Sequence, residues 1–167
     1  MIQYKQGDLL KAFENGEVDT FIIQENCTVG MGAGISKLTS VKYPEVLKYN
    51  FEQLRIAKEA PEDVLGLLVP YMLKNKRYIY GIYSQYYPGS PQKGFDTHKQ
   101  RLNWLFKGLD TFDRNNFGAN LGLPLIASGL AKNRELKHDS DLDYFKKYIA
   151  PTVEEALPNV NVTVYYL

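Results

Sequence analysis

A chain of 167 residues, 44% hydrophobic and 23% charged, has the length and composition of one globular domain spanning 1–167, with enough apolar residues to build a core without disulfides or a structural metal. Twenty Lys and Arg stand against 19 Asp and Glu, a net charge of +1, which argues against nucleic acid as a partner; the one short basic run, Lys74-Asn75-Lys76-Arg77, reads as a polar turn. The single cysteine, Cys27, excludes an intramolecular disulfide, and two histidines, His98 and His138, supply Cys/His metal sites poorly; with no signal-like or membrane-length apolar run, the expectation is a cytoplasmic protein without metal or membrane partner.

In chain order, Ile2 to Gln6 reads as a strand and Leu9 to Asn15 as a short helix stopped near Gly16. Asp19 to Gln24 is a compact apolar, β-branched run suited to a strand buried on both faces. A glycine loop, Gly30-Met31-Gly32-Ala33-Gly34-Ile35, follows, then a helix from Ile35 to Tyr43. Pro44 opens a further helix, in which Val46, Leu47, Phe51, Leu54 and Ala57 recur at helical spacing. Asp63 to Leu73 and Arg77 to Ser84 read as two strands turned at Lys74-Asn75-Lys76. Asp96 is placed to cap a helix from Thr97 to Asn115 with Leu102, Leu105, Phe106 and Leu109 as its stripe. Gly122 to Ala127 forms a short strand ending at Ser128-Gly129, Ser140 or Asp141 caps a helix running to about Ala156, and Val160 to Tyr166 closes as an alternating strand. Strands alternating with helices around one hairpin-like pair predict an α/β fold, a three-layer α/β/α sandwich on a mixed sheet of about six strands. Ligands in such sheets collect beyond the carboxyl ends of strands, here after Ile23, Tyr83 and Ile126.

The glycine loop sits at one of those ends. Glycines let backbone amides approach a ligand closely, and the first amides of the helix behind them lack internal partners; strand, glycine loop and helix start together make a phosphate cradle. The same residues can also be a turn that only packs the helix on the sheet. A dinucleotide-binding fingerprint needs Gly where Ile35 stands and an acidic residue after a second strand, whereas Glu52 falls within a helix; this argues against a nicotinamide-dependent oxidoreductase. No Gly-Lys-Ser/Thr is present, so the Walker pattern fails too.

The wider context is more specific. Ile2-x-Tyr4-x-x-Gly7-Asp8-Leu9-Leu10, the strand Phe21-Ile22-Ile23, Asn26 before the glycine loop, Arg77-Tyr78-Ile79-Tyr80, Leu123-Pro124-Leu125-Ile126-Ala127-Ser128-Gly129-Leu130 and Val162-Thr163-Val164-Tyr165-Tyr166-Leu167 come in the order of the macrodomain family. The chain resembles that family over nearly its whole length, most closely the branch of ADP-ribose 1″-phosphate phosphatases and terminal ADP-ribose protein glycohydrolases. The resemblance implies a macrodomain-like fold, an ADP-ribose-type ligand, no cofactor, and, as a further partner, an ADP-ribosylated protein. It implies that Asp8 accepts from the adenine amino group with Leu9 near the ring, and that Asn26 positions hydroxyls of the distal ribose. Gly32, Ala33, Gly34 and Ile35 would wrap the diphosphate and distal ribose. Ser128, Gly129 and Leu130 would close the other side, with Ser84 on the ligand and Tyr165 and Leu167 near the adenosine. Asp8 can equally cap the helix that follows it, and the two roles are compatible.

The catalytic pattern of that branch is broken here. Its glycohydrolases use a lysine where a gapless reading places Gln85, and an aspartate where it places Ala131. Glutamine cannot form a covalent amine adduct and alanine cannot act as a base, which weighs against a protein ADP-ribosyl glycohydrolase. The resemblance to the phosphatases makes hydrolysis of a small ADP-ribose derivative at its terminal ribose the first expectation, with ADP-ribose 1″-phosphate as substrate. Asn26 would hold the ribose, and Asp139, or the substrate's own phosphate oxygens, would act as base. A non-catalytic ADP-ribose reader is the alternative. Cys27, with nothing nearby to lower its thiol pKa, reads as a packed side chain, and His98 as a surface residue.

Overall fold

The computed structural model describes residues 1–167. Its elements are β1 (Ile2–Gln6), α1 (Leu9–Glu14), β2 (Thr20–Asn26), α2 (Gly34–Lys42), α3 (Val46–Glu59), α4 (Pro61–Val64), β3 (Leu68–Met72), β4 (Tyr78–Gln85), α5 (His98–Asn115), β5 (Asn120–Leu123), α6 (Asp141–Tyr144), α7 (Ala150–Ala156) and β6 (Asn161–Tyr166). The six strands form one sheet in the order β1-β6-β5-β2-β4-β3. Every neighbouring pair is parallel except β3 on β4, so the hairpin-like pair supplies one antiparallel edge to an otherwise parallel sheet.

Alternation along the strands divides the core in two. Phe21, Ile23, Ile79 and Tyr83 face a layer containing Leu10 and Phe13 of α1 and Val46 and Ala57 of α3. Ile22, Ile82, Leu121, Val162 and Val164 face Leu105, Leu109 and Phe112 of α5, and Phe145, Ile149 and Val153 near the chain end. Helices therefore cover both faces, giving the three-layer α/β/α sandwich. Gly108 lets α5 approach β4, since a Cβ there would lie 2.7 Å from Ile82 Cγ2. No helix is long and apolar enough to cross a membrane.

Four expectations need correction. The strand expected from Asp63 begins only at Leu68, because Pro61 starts a helical turn and Gly66 at φ +85° breaks the chain direction. The strand expected over Gly122 to Ala127 is Asn120–Leu123, ended by Pro124, which has no amide to continue the ladder. The cap of α5 is Thr97, not Asp96: Gln100 N donates to Thr97 Oγ1 at 3.2 Å and Thr97 N to Gln100 Oε1 at 3.1 Å, a capping box. The helix capped by Ser140 runs to Ala156 but contains a π turn, Phe145–Ile149. Pro151, at the start of α7, lacks the amide that would continue the regular ladder, and the wider turn absorbs that break.

Candidate ligand cleft

The carboxyl ends of the parallel strands open into one cleft of about 1090 Å3. One end is built where β1 meets α1. Asp8 caps α1, its Oδ1 accepting from Leu10 N at 2.9 Å and Lys11 N at 3.3 Å. Capping thus engages one carboxylate oxygen and leaves Oδ2 for a ligand. Leu9, Tyr165 and Leu167 line the same stretch, and Tyr165 is buried, with its hydroxyl pKa raised by that burial.

Along the middle, two loops face each other. Gly34 takes φ +57° and starts α2; Ala33 precedes it with extended backbone and supplies no side-chain cap. The amides at the start of α2 are therefore open, at the positive end of its dipole. Gly32, Ala33, Gly34, Ile35 and Ser36 all line the cleft. Gly30 passes close over α3, where a Cβ would lie 3.0 Å from Asn50 Oδ1. Opposite, Ala127 and Gly129 take φ +59° and +63°. A left-handed alanine costs about 1–2 kcal/mol, and such strain collects where a backbone must present particular groups. Ser128 N is committed to Leu125 O, so the amides that remain for a ligand on this side are those of Gly129 and Leu130.

The far end is formed by Asn26, Gln85, Pro88, Gly89, Ala131, Ser140, Asp141 and Leu142. Asn26 Oδ1 accepts from Val29 N at 2.7 Å and Thr28 N at 3.1 Å, an arrangement that shapes the start of the glycine loop and leaves the amide NH2 to donate. Next to it on β2, Gln24 ties β4 to the loop after β5: its Nε2 donates to Ser84 Oγ at 2.8 Å and its Oε1 accepts from Ala127 N at 3.2 Å. A shallow annex of about 580 Å3 opens beside this end, bordered by Gly129, Leu130, Lys132, Arg134, His138 and Asp141. Lys132 Nζ is paired with Asp141 Oδ1 at 2.8 Å.

Nearly every residue singled out from the sequence lines the cleft: Asp8, Leu9, Asn26, Gly32, Ala33, Gly34, Ile35, Ser128, Gly129, Leu130, Tyr165 and Leu167. Two do not. Ser84 is fully buried and turned to the α5 face, where Gln24 uses its hydroxyl. Asp139 is exposed outside the cleft, its amide donating to Asp143 Oδ2 at 2.9 Å; Asp141, two residues on, is the carboxylate that borders the cleft. Cys27 is buried, and burial pushes its thiol up to about 12, as befits a packed side chain. His98 is half-buried rather than a surface residue, and that burial lowers its pKa.

Sequence reasoning missed two buried polar centres around the cleft. Glu25 lies under the glycine loop and is 6% exposed; Tyr71 Oη donates to both its oxygens at 2.7 and 2.8 Å, and Asn50 Nδ2 to Oε1 at 2.8 Å. Burial raises its carboxyl to about 7, the two donors offsetting part of the rise. Gly81 makes room for it, since a Cβ there would fall 2.3 Å from Glu25 Oε2. The second centre is Arg101, 4% exposed, whose Nε and Nη2 donate to the carboxylate of Asp96 at 2.9 and 2.7 Å. Its remaining donors reach the carbonyls of Tyr87, Gly89, Ser90 and Ala131, while Asp96 accepts from the amides of Tyr86 and Tyr87. One buried ion pair thus ties the loop after β4 to the loop after β5. The one signal for the first centre was the polar pair Gln24-Glu25 ending an apolar strand; Arg101 on a helix face carried none.

No family model and no curated protein matches the sequence. Solved structures do match. The macrodomain of Mycobacterium tuberculosis DarG superposes with a TM-score of 0.69 at 19% identity, covering 100% of this chain and 98% of that one. A Bacteroides thetaiotaomicron protein of unknown function gives 0.73 at 21% identity, over 100% of this chain and 98% of the other. This chain has the macrodomain fold. A third structure with that fold, Thermosipho africanus DarTG in complex with ADP-ribose, gives 0.61 at 14% identity, over 98% of this chain and 41% of that one.

Proposed function

We propose that this macrodomain fold binds ADP-ribose-type ligands along the cleft and hydrolyses a small ADP-ribose derivative at its terminal ribose, with ADP-ribose 1″-phosphate as first-choice substrate. The observation that carries the reading is the pair of opposed amide arrays, the start of α2 on one side and Gly129-Leu130 on the other. Such arrays hold a diphosphate without a metal or a basic patch. Asp8 Oδ2 at one end suits an adenine amino group, and Asn26 at the other suits ribose hydroxyls. The solved DarTG structure with ADP-ribose supports the ligand class. Asp139 is set aside as the base because it does not border the cleft; the substrate's own phosphate oxygen then takes the proton from the attacking water.

A non-catalytic reader is the second reading. Gln85 and Ala131 occupy the lysine and aspartate positions of the glycohydrolases, and the distal carboxylate Asp141 is held by Lys132. Calorimetry with ADP-ribose, run beside a phosphate-release assay on ADP-ribose 1″-phosphate and a turnover assay on ADP-ribosylated protein, decides between them. Phosphate release above background is the expected result. Tight binding without turnover of any conjugate would leave the reader, and no binding at all would remove both readings.

A further inference from the structure

The annex is continuous with the far end of the cleft, the two sharing Gly129, Leu130 and Asp141, but it differs from the cleft in charge. The charged side chains lining the cleft are Lys11 and Lys42 against three carboxylates, Asp8, Glu25 and Asp141. The annex is bordered by Lys132, Arg134 and His138, with Asp141 as its one carboxylate. Asp141 Oδ1 is held by Lys132 Nζ at 2.8 Å, which leaves Arg134, exposed and in no ion pair, as the uncompensated charge. The segment carrying these groups is anchored. Asn133 N donates to the hydroxyl of the buried Tyr144 at 2.8 Å, Tyr148 Oη donates to Lys137 O at 2.7 Å, and Leu136 packs against the core. His138 Nδ1 lies 2.7 Å from Leu136 O, and its ring stands edge-on to that of Tyr144. A carbonyl oxygen can only accept, so Nδ1 carries a proton and Nε2 is left for a partner. Nε2 donates to a phosphate oxygen when the ring is charged and accepts from a phosphate hydroxyl when it is neutral, so both forms find a match in a phosphate. The planar guanidinium of an arginine pairs two N–H groups with two phosphate oxygens.

We propose that the annex is a separate anion subsite, which takes a phosphate-like group carried on the terminal ribose, with Arg134 and His138 as its specificity-determining residues. The opposed amide arrays hold the diphosphate, and the annex then sorts conjugates by what they bear beyond it. An anionic substituent gains the Arg134 charge and His138 Nε2; a neutral one of the same attachment gains neither. The proposal rests on the ADP-ribose reading of the cleft but not on any turnover.

The test is calorimetry on the full chain and on Arg134→Gln with two ligands that are not turned over: the 1″-phosphonate analogue of ADP-ribose, in which carbon replaces the bridging oxygen, and 1″-O-methyl ADP-ribose, which is neutral at that position. The unsubstituted protein should bind the phosphonate about fivefold more tightly, a modest factor because Arg134 is open to solvent. Arg134→Gln should bring the two ligands to within about twofold of each other. Histidine ring resonances give a second readout on the unsubstituted protein, since the chain has only two. Those of His138 should move with the phosphonate and not with the methyl compound, while those of His98, which borders neither cavity, stay in place with both. Equal binding of the two ligands by the unsubstituted protein, a preference that survives in Arg134→Gln, or His138 resonances that respond alike to both would overturn the proposal. Failure of the unsubstituted protein to bind either ligand or ADP-ribose itself would instead remove the underlying reading, and this proposal with it.

Discussion

Glu25 is a carboxyl held where water does not reach, and its protonation is coupled to folding. In the unfolded chain it titrates near its ordinary value of 4.5, in the folded protein near 7. Between those values the folded state binds the proton and the unfolded state does not, so this group's contribution to stability falls as pH rises through that window and levels off above it. A shift of that size corresponds to roughly 3 kcal/mol. Denaturant unfolding of the unsubstituted protein and of Glu25→Gln, at pH 5 and at pH 8, measures it. The amide variant should lose much of the pH dependence and gain on the unsubstituted protein at pH 8; parallel pH profiles for the two proteins would show that Glu25 is ionised throughout. Gly81 makes room for Glu25 and Gly30 passes close to Asn50, so both glycines frame this centre. Asp8 shows a division of labour of another kind. Its capping bonds engage one oxygen and leave the other free, so the cap and the ligand contact proposed for it need not share an atom.

At the scale of elements, the Arg101–Asp96 pair decides how firmly the far end of the cleft is built. Removing one partner of a buried pair leaves an uncompensated charge and costs about 3–5 kcal/mol. Arg101→Met should lower the melting temperature by roughly 10 °C or more for a chain of this size. It should also raise amide hydrogen exchange across the loop after β4, whose Gly89 and Ser90 carbonyls lose their donor. A variant melting within about 2 °C of the unsubstituted protein would show the pair to be dispensable. This clasp illustrates what was legible beforehand and what was not. A compact β-branched run located the central strand, whose Phe21, Ile22 and Ile23 are buried on both faces, and helical spacing located the amphipathic helices, as with Leu105 and Leu109 on α5. The cleft was legible as well, since the glycine loop and Ser128-Gly129 each come within a few residues of a strand's carboxyl end, those of β2 and β5. Asp96 was read as a cap because its neighbourhood is that of a helix start, whereas its partners are the amides of Tyr86 and Tyr87, ten and nine residues earlier, and a guanidinium on the helix itself. Pairings across a loop of that length leave no periodic trace. The same holds for Glu25, whose donors come from α3 and β3.

For the whole molecule, a net charge of +1 and a cleft walled by backbone amides set the electrostatics of ligand capture. Lys42, which borders the cleft, is already occupied by Glu14, and Lys132, which borders the annex beside it, by Asp141. A ligand held by fixed amide dipoles at short range is screened far less than one steered by mobile surface charges. Affinity for ADP-ribose should therefore fall by less than about fivefold between roughly 50 and 500 mM salt, as calorimetry across a salt series would show. A much steeper fall would assign the diphosphate to Lys11, Arg134 or another side-chain cation. The parallel pairing of β1 with β6 at the sheet edge has a practical corollary. It sends the two chain ends to opposite poles of the sheet, and Leu167, almost fully exposed, stands on the lip of the cleft. A purification tag at the amino end would sit away from ligand traffic. A small fluorophore fused behind Leu167 would stand beside the entrance, where its emission could report a nucleotide arriving.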